Sequence, residues 1–360
     1  MTGTGRGPVR LSAAIMTHPA RLAAATRLAQ ELPELSPQIV VDPDPGRPDS
    51  CLRNARRAWA AAAESATHHL VLQDDCLLGE DFLGSLLAAA RRRPCEAISL
   101  FTEWGSDSSY AVRLAAMAGF ALAPVIDHYV PTVGLMMPAR TARAFAAWDR
   151  SSALQDDVCI AHFLAEAGVR AQVTVPNLID HDSRGSTVGN DHMGARRSAY
   201  FAPWHAGPGN PADLETDIPF FHTNSGRPRA ALYDPALRSW RAAPFTAFLE
   251  RIGITGEQSM RIGADGEAAV AMMLDAGVRP ELFRTIGGMR CVAFGIGWQA
   301  ARHSRSAGPP DMSALESVPR GALRPRLTPA AIEALAGPIT TLLRESAAFG
   351  IAHAESGVRV

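Results

Sequence analysis

The sequence predicts an α/β fold, a mostly parallel sheet flanked by helices, followed by a smaller, mainly helical C-terminal region. Three observations carry this reading. Residues 9–201 alternate strand and helix patterns, which implies a parallel sheet covered on both faces. The segment LVLQDDC (70–76) is a short apolar run that stops abruptly at Asp74 and Asp75, as a strand buried in such a sheet would at its carboxyl end. Composition then shifts: PWHAGPGNPADLETDIPF (203–220) is rich in Pro, Gly and Asp, and marks a linker or long surface loop. The boundaries that follow are a first domain at 1–205 and a C-terminal region at 206–360.

VRLSAAIM (9–16) is the first strand, and Thr17-His18-Pro19 follows it. Leu22, Ala25, Leu28 and Leu32 recur at helical spacing within 21–32. QIVVDP (38–43) is a second strand ending at Asp42 and Pro43, and 50–66 is an alanine-rich helix capped at Asp49 or Ser50. HHLVLQDD (68–75) is the third strand, 82–93 a helix and EAISLF (96–101) a fourth strand. VPTVGLMMP (130–138) reads as a strand ending at proline, leading into a helix that ends at Trp148. A helix over 156–167 and a strand VRAQVTVP (169–176) complete the alternation. Beyond the linker, helical patterns occupy 243–252, 266–276 and 329–349, and HTNSGRPR (222–229) is a polar, basic segment placed to close over phosphate or to form a loop.

The bulk numbers exclude several classes. A chain of 360 residues fits two domains better than one. Its 35 basic and 36 acidic residues balance, so no global electrostatic case exists for nucleic acid. Lysine is absent, a bias expected of a GC-rich bacterial genome. The five cysteines (Cys51, Cys76, Cys95, Cys159, Cys291) show no CxxC spacing and favour reduced thiols in a cytoplasm. MTGTGRGPVR has no apolar core for a secretory signal, and no apolar run approaches the roughly 18–20 residues of a membrane span. The expectation is a cytoplasmic protein with no integral membrane segment.

The chemistry concentrates at carboxyl ends of the proposed strands, where open α/β sheets bind ligands. Two adjacent carboxylates repel unless a positive charge sits beside them. A divalent cation carrying a diphosphate meets that need, because hard oxygen ligands suit Mg²⁺ or Mn²⁺. Asp156 and Asp157 open a helix, where they act as caps or as a general base. No Walker loop and no glycine-rich loop after the first strand appears, which argues against a nucleotidyltransferase or dinucleotide fold. A zinc hydrolase built on His68, His69, Asp74 and His181 is disfavoured because adjacent strand residues point to opposite faces.

On four motifs taken in order, IMTHPAR (15–21), QDD (73–75), GLMMP (134–138) and LQDDVCIAHFL (154–164) followed by PNLIDHDSRGST (176–187), residues 1–205 resemble a GT-A-type glycosyltransferase with a Rossmann-like sheet. The resemblance implies a nucleotide-sugar donor, a UDP-sugar by preference, bound by Thr17, His18, Arg21, Asp42, Gln73, Asp74 and Gly134. It implies Asp75 and His181 as ligands of Mn²⁺ or Mg²⁺, with Gln73 an uncharged departure at the first position of the Asp-x-Asp motif. It implies Asp156 or Asp157 as the base that activates an acceptor hydroxyl, and inversion at the anomeric carbon; the Asp182–Thr187 loop would touch the diphosphate. The acceptor class stays open among small molecules, peptides and glycans. The C-terminal region is expected to shape the acceptor site or to mediate self-association into a homo-oligomer, and Trp104 to stack on a ring or to pack against its loop. Gln73 keeps one alternative alive, a catalytically degenerate domain that binds nucleotide as a scaffold.

Overall fold

The structure, a computed structural model, describes residues 7–150, 155–182, 195–203, 213–254, 267–275, 277–305 and 308–356. The described strands are β1 (Leu11–Thr17), β2 (Gln38–Val41), β3 (His68–Gln73), β4 (Cys76–Leu78), β5 (Ala97–Ser99), β6 (Leu122–Pro124), β7 (Gly134–Pro138), β8 (Ala171–Thr174), β9 (Ile179–His181), β10 (Ile218–His222), β11 (Arg227–Asp234) and β12 (Ser239–Pro244). The helices are α1 (Leu22–Gln30), α2 (Ser50–Ala60), α3 (Phe82–Arg92), α4 (Ser108–Ala118), α5 (Ala139–Ala146), α6 (Asp156–Glu166), α7 (Phe245–Arg251), α8 (Glu267–Asp275), α9 (Phe283–His303), α10 (Val318–Leu323) and α11 (Pro329–Glu355). The chain is a mixed α/β protein, and no described helix is long and apolar enough to cross a membrane.

Two compact units form. The first comprises the described residues within Met1–Phe101 and His128–Thr187, with Pro203. Six of its strands lie in the order β2-β1-β3-β7-β5-β8. Strand β1 is parallel to β2 and β3, and β5 is parallel to β8; β7 alone runs antiparallel to its neighbours β3 and β5. Strand β3 is buried at every position from His68 to Leu72. His69 survives there because its ring nitrogens are matched, to Ser12 Oγ at 2.8 Å and to the Ala58 carbonyl at 2.9 Å. Both nitrogens are therefore committed to the scaffold, which removes His69 from any metal role. Trp59 packs edge-on against His69 and Phe145, and Phe145 against Phe163, closing the apolar layer between sheet and helices.

The second unit holds the described residues within Thr102–Asp127, Val188–Ala202 and Gly207–Val360. The sequence reading places 102–127 and 195–202 in the first domain, whereas they cluster with the second unit. The reason lies in α4, which is buried at ten of its eleven positions and so carries no amphipathic stripe to announce it. The Asp127 carboxylate caps α4, accepting from the backbone N–H groups of Asp107 and Ser108 at 3.0 Å each. The C-terminal region contains an antiparallel three-stranded sheet, β10-β11-β12, which the expectation of a mainly helical region omits. HTNSGRPR (222–229) is thus a hairpin turn and the start of β11, with Phe221 and Pro228 paired across it.

The longest helices, α9 and α11, approach at glycines. A Cβ on Gly297 would lie 2.1 Å from the Ala347 carbonyl oxygen, and one on Gly350 would lie 2.1 Å from that of Phe294. Backbone stands where a methyl would go, so neither position tolerates even alanine without separating the helices. Gly297→Ala should lower the unfolding free energy by about 1–3 kcal/mol, the range for overpacking a well-filled core. Thermal unfolding by circular dichroism checks this, and an unchanged midpoint would show that the helices yield freely.

Candidate functional site

Because β1 and β3 are parallel neighbours, with Met16 beside Gln73, both chains leave the sheet at the same edge. Five of the residues singled out from sequence meet there. After β1 the chain turns through a short 3-10 helix, Pro19–Arg21, whose first turn is capped by His18: its Nδ1 accepts from the Ala20 N–H at 3.1 Å. That cap aims the Arg21 guanidinium back at the turn after β3. Arg21 Nη1 lies 3.2 Å from Asp74 Oδ1 and 2.8 Å from Asp75 Oδ2, and the Thr17 hydroxyl hydrogen-bonds Asp74 Oδ2. The positive charge that two adjacent carboxylates demand is therefore supplied by the chain itself.

His181 reaches the same turn through a ribbon absent from the sequence reading. Strand β4, which begins at Cys76 directly after Asp75, pairs antiparallel with β9, and Cys76 stands opposite His181. The Asp182 N–H also donates to the Asp75 carbonyl at 2.8 Å, which fastens this ribbon at the site. His181 is buried, with Nε2 3.2 Å from Asp75 Oδ2. Asp75 Oδ1 and both His181 ring nitrogens are buried without a hydrogen-bond partner among the described residues. Buried polar atoms are rarely left so, and such orphans call for a ligand.

The environment separates the two carboxyls. Burial and the adjacent Asp75 push the Asp74 carboxyl above its ordinary range, against the pull of Thr17 and Arg21. Burial acts upward on Asp75 as well, yet His181 and Arg21 together hold it below the ordinary range. Arg21, despite burial, has its pKa raised by the two carboxylates. Asp75 is thus the firmly ionised member.

These residues fit a divalent cation in donor chemistry. A carboxylate oxygen and an imidazole nitrogen, neither with a hydrogen-bond partner among the described residues, suit Mn²⁺ in particular. No group of three His, Cys, Asp or Glu in a metal-holding arrangement occurs among the described residues, so protein donors alone would leave positions for oxygens of a ligand. Asp75 and His181 are the two that would hold the ion.

The other candidates divide. Asp42, just past β2, is buried; its Oδ1 accepts from the Asp44 N–H at 3.0 Å and from Arg53 Nη2 at 2.9 Å. It holds its own loop. Gly134 pairs with Leu72, and a Cβ there would fall 2.5 Å from Ile179 Cδ1, so close strand packing accounts for this glycine. Gln73 donates from Nε2 to Thr132 Oγ1 at 3.3 Å. Asp156 Oδ1 accepts from the Cys51 thiol at 3.3 Å, and Cys51 and then Thr132 act to lower its carboxyl. Asp156 is buried and its carboxyl is pushed up by that burial.

Asp157 is half-buried. Burial and the neighbouring Asp156 raise its carboxyl to about 6, opposed by the Val158 N–H at 2.7 Å and by the charge of His128. Thr132, Cys51 and His128 carried no signal in the sequence, since each touches the aspartates only through the fold. Residues 183–187 lie outside the described residues, and Trp104 belongs to the second unit. No family model matches the chain, and no curated protein matches it.

The Asp157 shift has a sign that stability measurements can read. A carboxyl with a raised folded pKa binds more protons native than unfolded between pH 3.8 and about 6, so stability falls as pH rises through that window. Asp157→Asn removes this slope. The variant should melt higher than the parent at pH 7, with the difference vanishing by about pH 4. Equal melting curves across that range would place the Asp157 carboxyl in ordinary solvent.

Proposed function

We propose that the chain is a glycosyltransferase of GT-A type, moving a sugar from a nucleoside diphosphate to a hydroxyl acceptor. One observation carries the reading: Thr17, Arg21, Asp74, Asp75 and His181 converge at the carboxyl edge of β1 and β3 with buried, unpartnered donor atoms on Asp75 and His181. That edge is where an open α/β sheet receives a ligand, and the donor atoms suit a divalent ion with a diphosphate. When bound, Mn²⁺ or Mg²⁺ would offset the charge of the departing diphosphate, a Lewis-acid role.

The chain's own residues do the rest. Arg21 and Thr17 stand at the donor's phosphates or ribose, and Gln73 offers an amide beside them. Asp157 is the better base of the second pair. A carboxyl near 6 is ionised at pH 7 and basic enough to take a hydroxyl proton. Asp156 is sealed under Cys51 and Thr132 and holds the start of α6 in place. As the acceptor oxygen forms its bond to the anomeric carbon, its proton passes to Asp157. The bond from that carbon to the phosphate oxygen breaks, and the nucleoside diphosphate leaves with the electron pair. Attack opposite the leaving group gives inversion.

Calorimetric titration of UDP, GDP and TDP, with Mn²⁺ and with EDTA, tests the donor site. One nucleotide should bind in a metal-dependent manner, and Asp75→Asn should weaken that binding at least about tenfold, the cost of losing one charged ligand. Asp157→Asn should leave donor affinity unchanged while slowing transfer by about 10²–10⁴, the usual contribution of a general base. Nucleotide binding that ignores both metal and Asp75 would point instead to a degenerate nucleotide-binding domain.

A further inference from the structure

Arg21 occupies the carboxylates that the proposed cation needs. Its Nη1 is 2.8 Å from Asp75 Oδ2, the same oxygen that His181 Nε2 approaches at 3.2 Å. A divalent ion placed on Asp75 would meet a guanidinium already at that oxygen. Two cations at such spacing repel strongly in a partly buried site, so they compete for the carboxylate. Asp75 Oδ1, in contrast, has no hydrogen-bond partner among the described residues, which gives the ion an oxygen to approach first.

Arg21 has the means to yield. It sits at the end of a three-residue turn on a long side chain that keeps 18% of its surface exposed. A guanidinium also matches phosphate as well as it matches carboxylate, with bidentate geometry. A diphosphate arriving with the ion offers Arg21 a new anionic partner as the ion takes over its old one. After the exchange the ion faces Asp75, Arg21 faces the phosphate, and Asp74 keeps the Thr17 hydroxyl.

We propose that Arg21 is a resident counter-ion that couples the cation to the diphosphate. It disfavours the ion alone and moves to phosphate when both arrive. The inference rests on the transferase reading only for the location of the site; the exchange itself requires a divalent ion and a diphosphate, whatever group the diphosphate carries. Because coupling is reciprocal, the ion must raise diphosphate affinity by the factor by which diphosphate raises ion affinity.

The test uses the full chain, Mn²⁺ and inorganic pyrophosphate, read by calorimetry and by the electron paramagnetic resonance of free Mn²⁺. The parent should bind Mn²⁺ weakly alone and markedly tighter with pyrophosphate present. Arg21→Ala should bind Mn²⁺ alone about tenfold more tightly than the parent, since its competitor is gone. The same variant should lose most of the coupling factor. Arg21→Lys, which keeps the charge, should stay near the parent for Mn²⁺ alone and guards against a folding defect in the alanine variant. If Arg21→Ala binds Mn²⁺ no tighter, or keeps the parent's coupling factor, Arg21 is not the counter-ion. Absence of Mn²⁺ binding in every variant would overturn the exchange as well. Should the exchange hold while no nucleoside diphosphate outbinds pyrophosphate, the coupling stands and the nucleotide-sugar reading fails.

Discussion

The Asp74–Asp75 pair is the constraint around which the first unit is arranged. Two carboxyls on consecutive residues, at the end of a buried strand, cannot both be ionised without compensation. The fold compensates from three directions. Thr17 reaches Asp74 from β1, Arg21 reaches both from the turn beyond it, and His181 approaches Asp75 from the β4–β9 ribbon. Each contact requires a specific piece of architecture: parallel pairing of β1 with β3, a capped 3-10 turn, and a two-stranded ribbon starting one residue after Asp75. The compensation is incomplete. Asp75 Oδ1 and the His181 ring keep buried atoms without hydrogen-bond partners among the described residues, a cost of about 1–3 kcal/mol for each such group. A scaffold that retains such a cost has a site to which a ligand can return it on binding.

A second aspartate pair opens α6. Asp156 and Asp157 are also consecutive, and burial pushes both carboxyls up. The inner member is fixed by Cys51 and Thr132, while the outer one is left half-exposed with its carboxyl raised to about 6. Thr132 lies between the two pairs: its hydroxyl accepts from Gln73 Nε2 at 3.3 Å and acts to lower the Asp156 carboxyl.

Legibility in the sequence followed periodicity. Strands β1, β2, β3, β5, β7 and β8 and helices α1, α2, α3, α5 and α6 sit where apolar runs and helical spacing put them, because each buries a defined face. Helix α4 escaped notice because it is buried on nearly all sides, and α9 because its glycines (Gly287, Gly288, Gly295, Gly297) resemble loop composition. In α9, Gly297 marks close helix contact instead, which only three-dimensional packing reveals. Of the site residues, Asp74, Asp75 and Arg21 could be named from their place after strands. That His181 joins them depends on the three-residue ribbon β9, too short to carry a pattern. Asp42 and Gly134 have scaffold explanations, a loop brace and a tight strand contact, that only the surrounding atoms supply.

Gln73 shows how charge count and position combine. An acid at that position would add a third negative charge to a turn where Asp74 is already pushed toward its neutral form by burial and by Asp75. Arg21 could not balance three. An amide instead donates to the Thr132 hydroxyl at 3.3 Å. The neutral residue adds no charge to a turn where, among the described residues, Arg21 is the arginine that meets both carboxylates, and where Asp75 is the member held ionised.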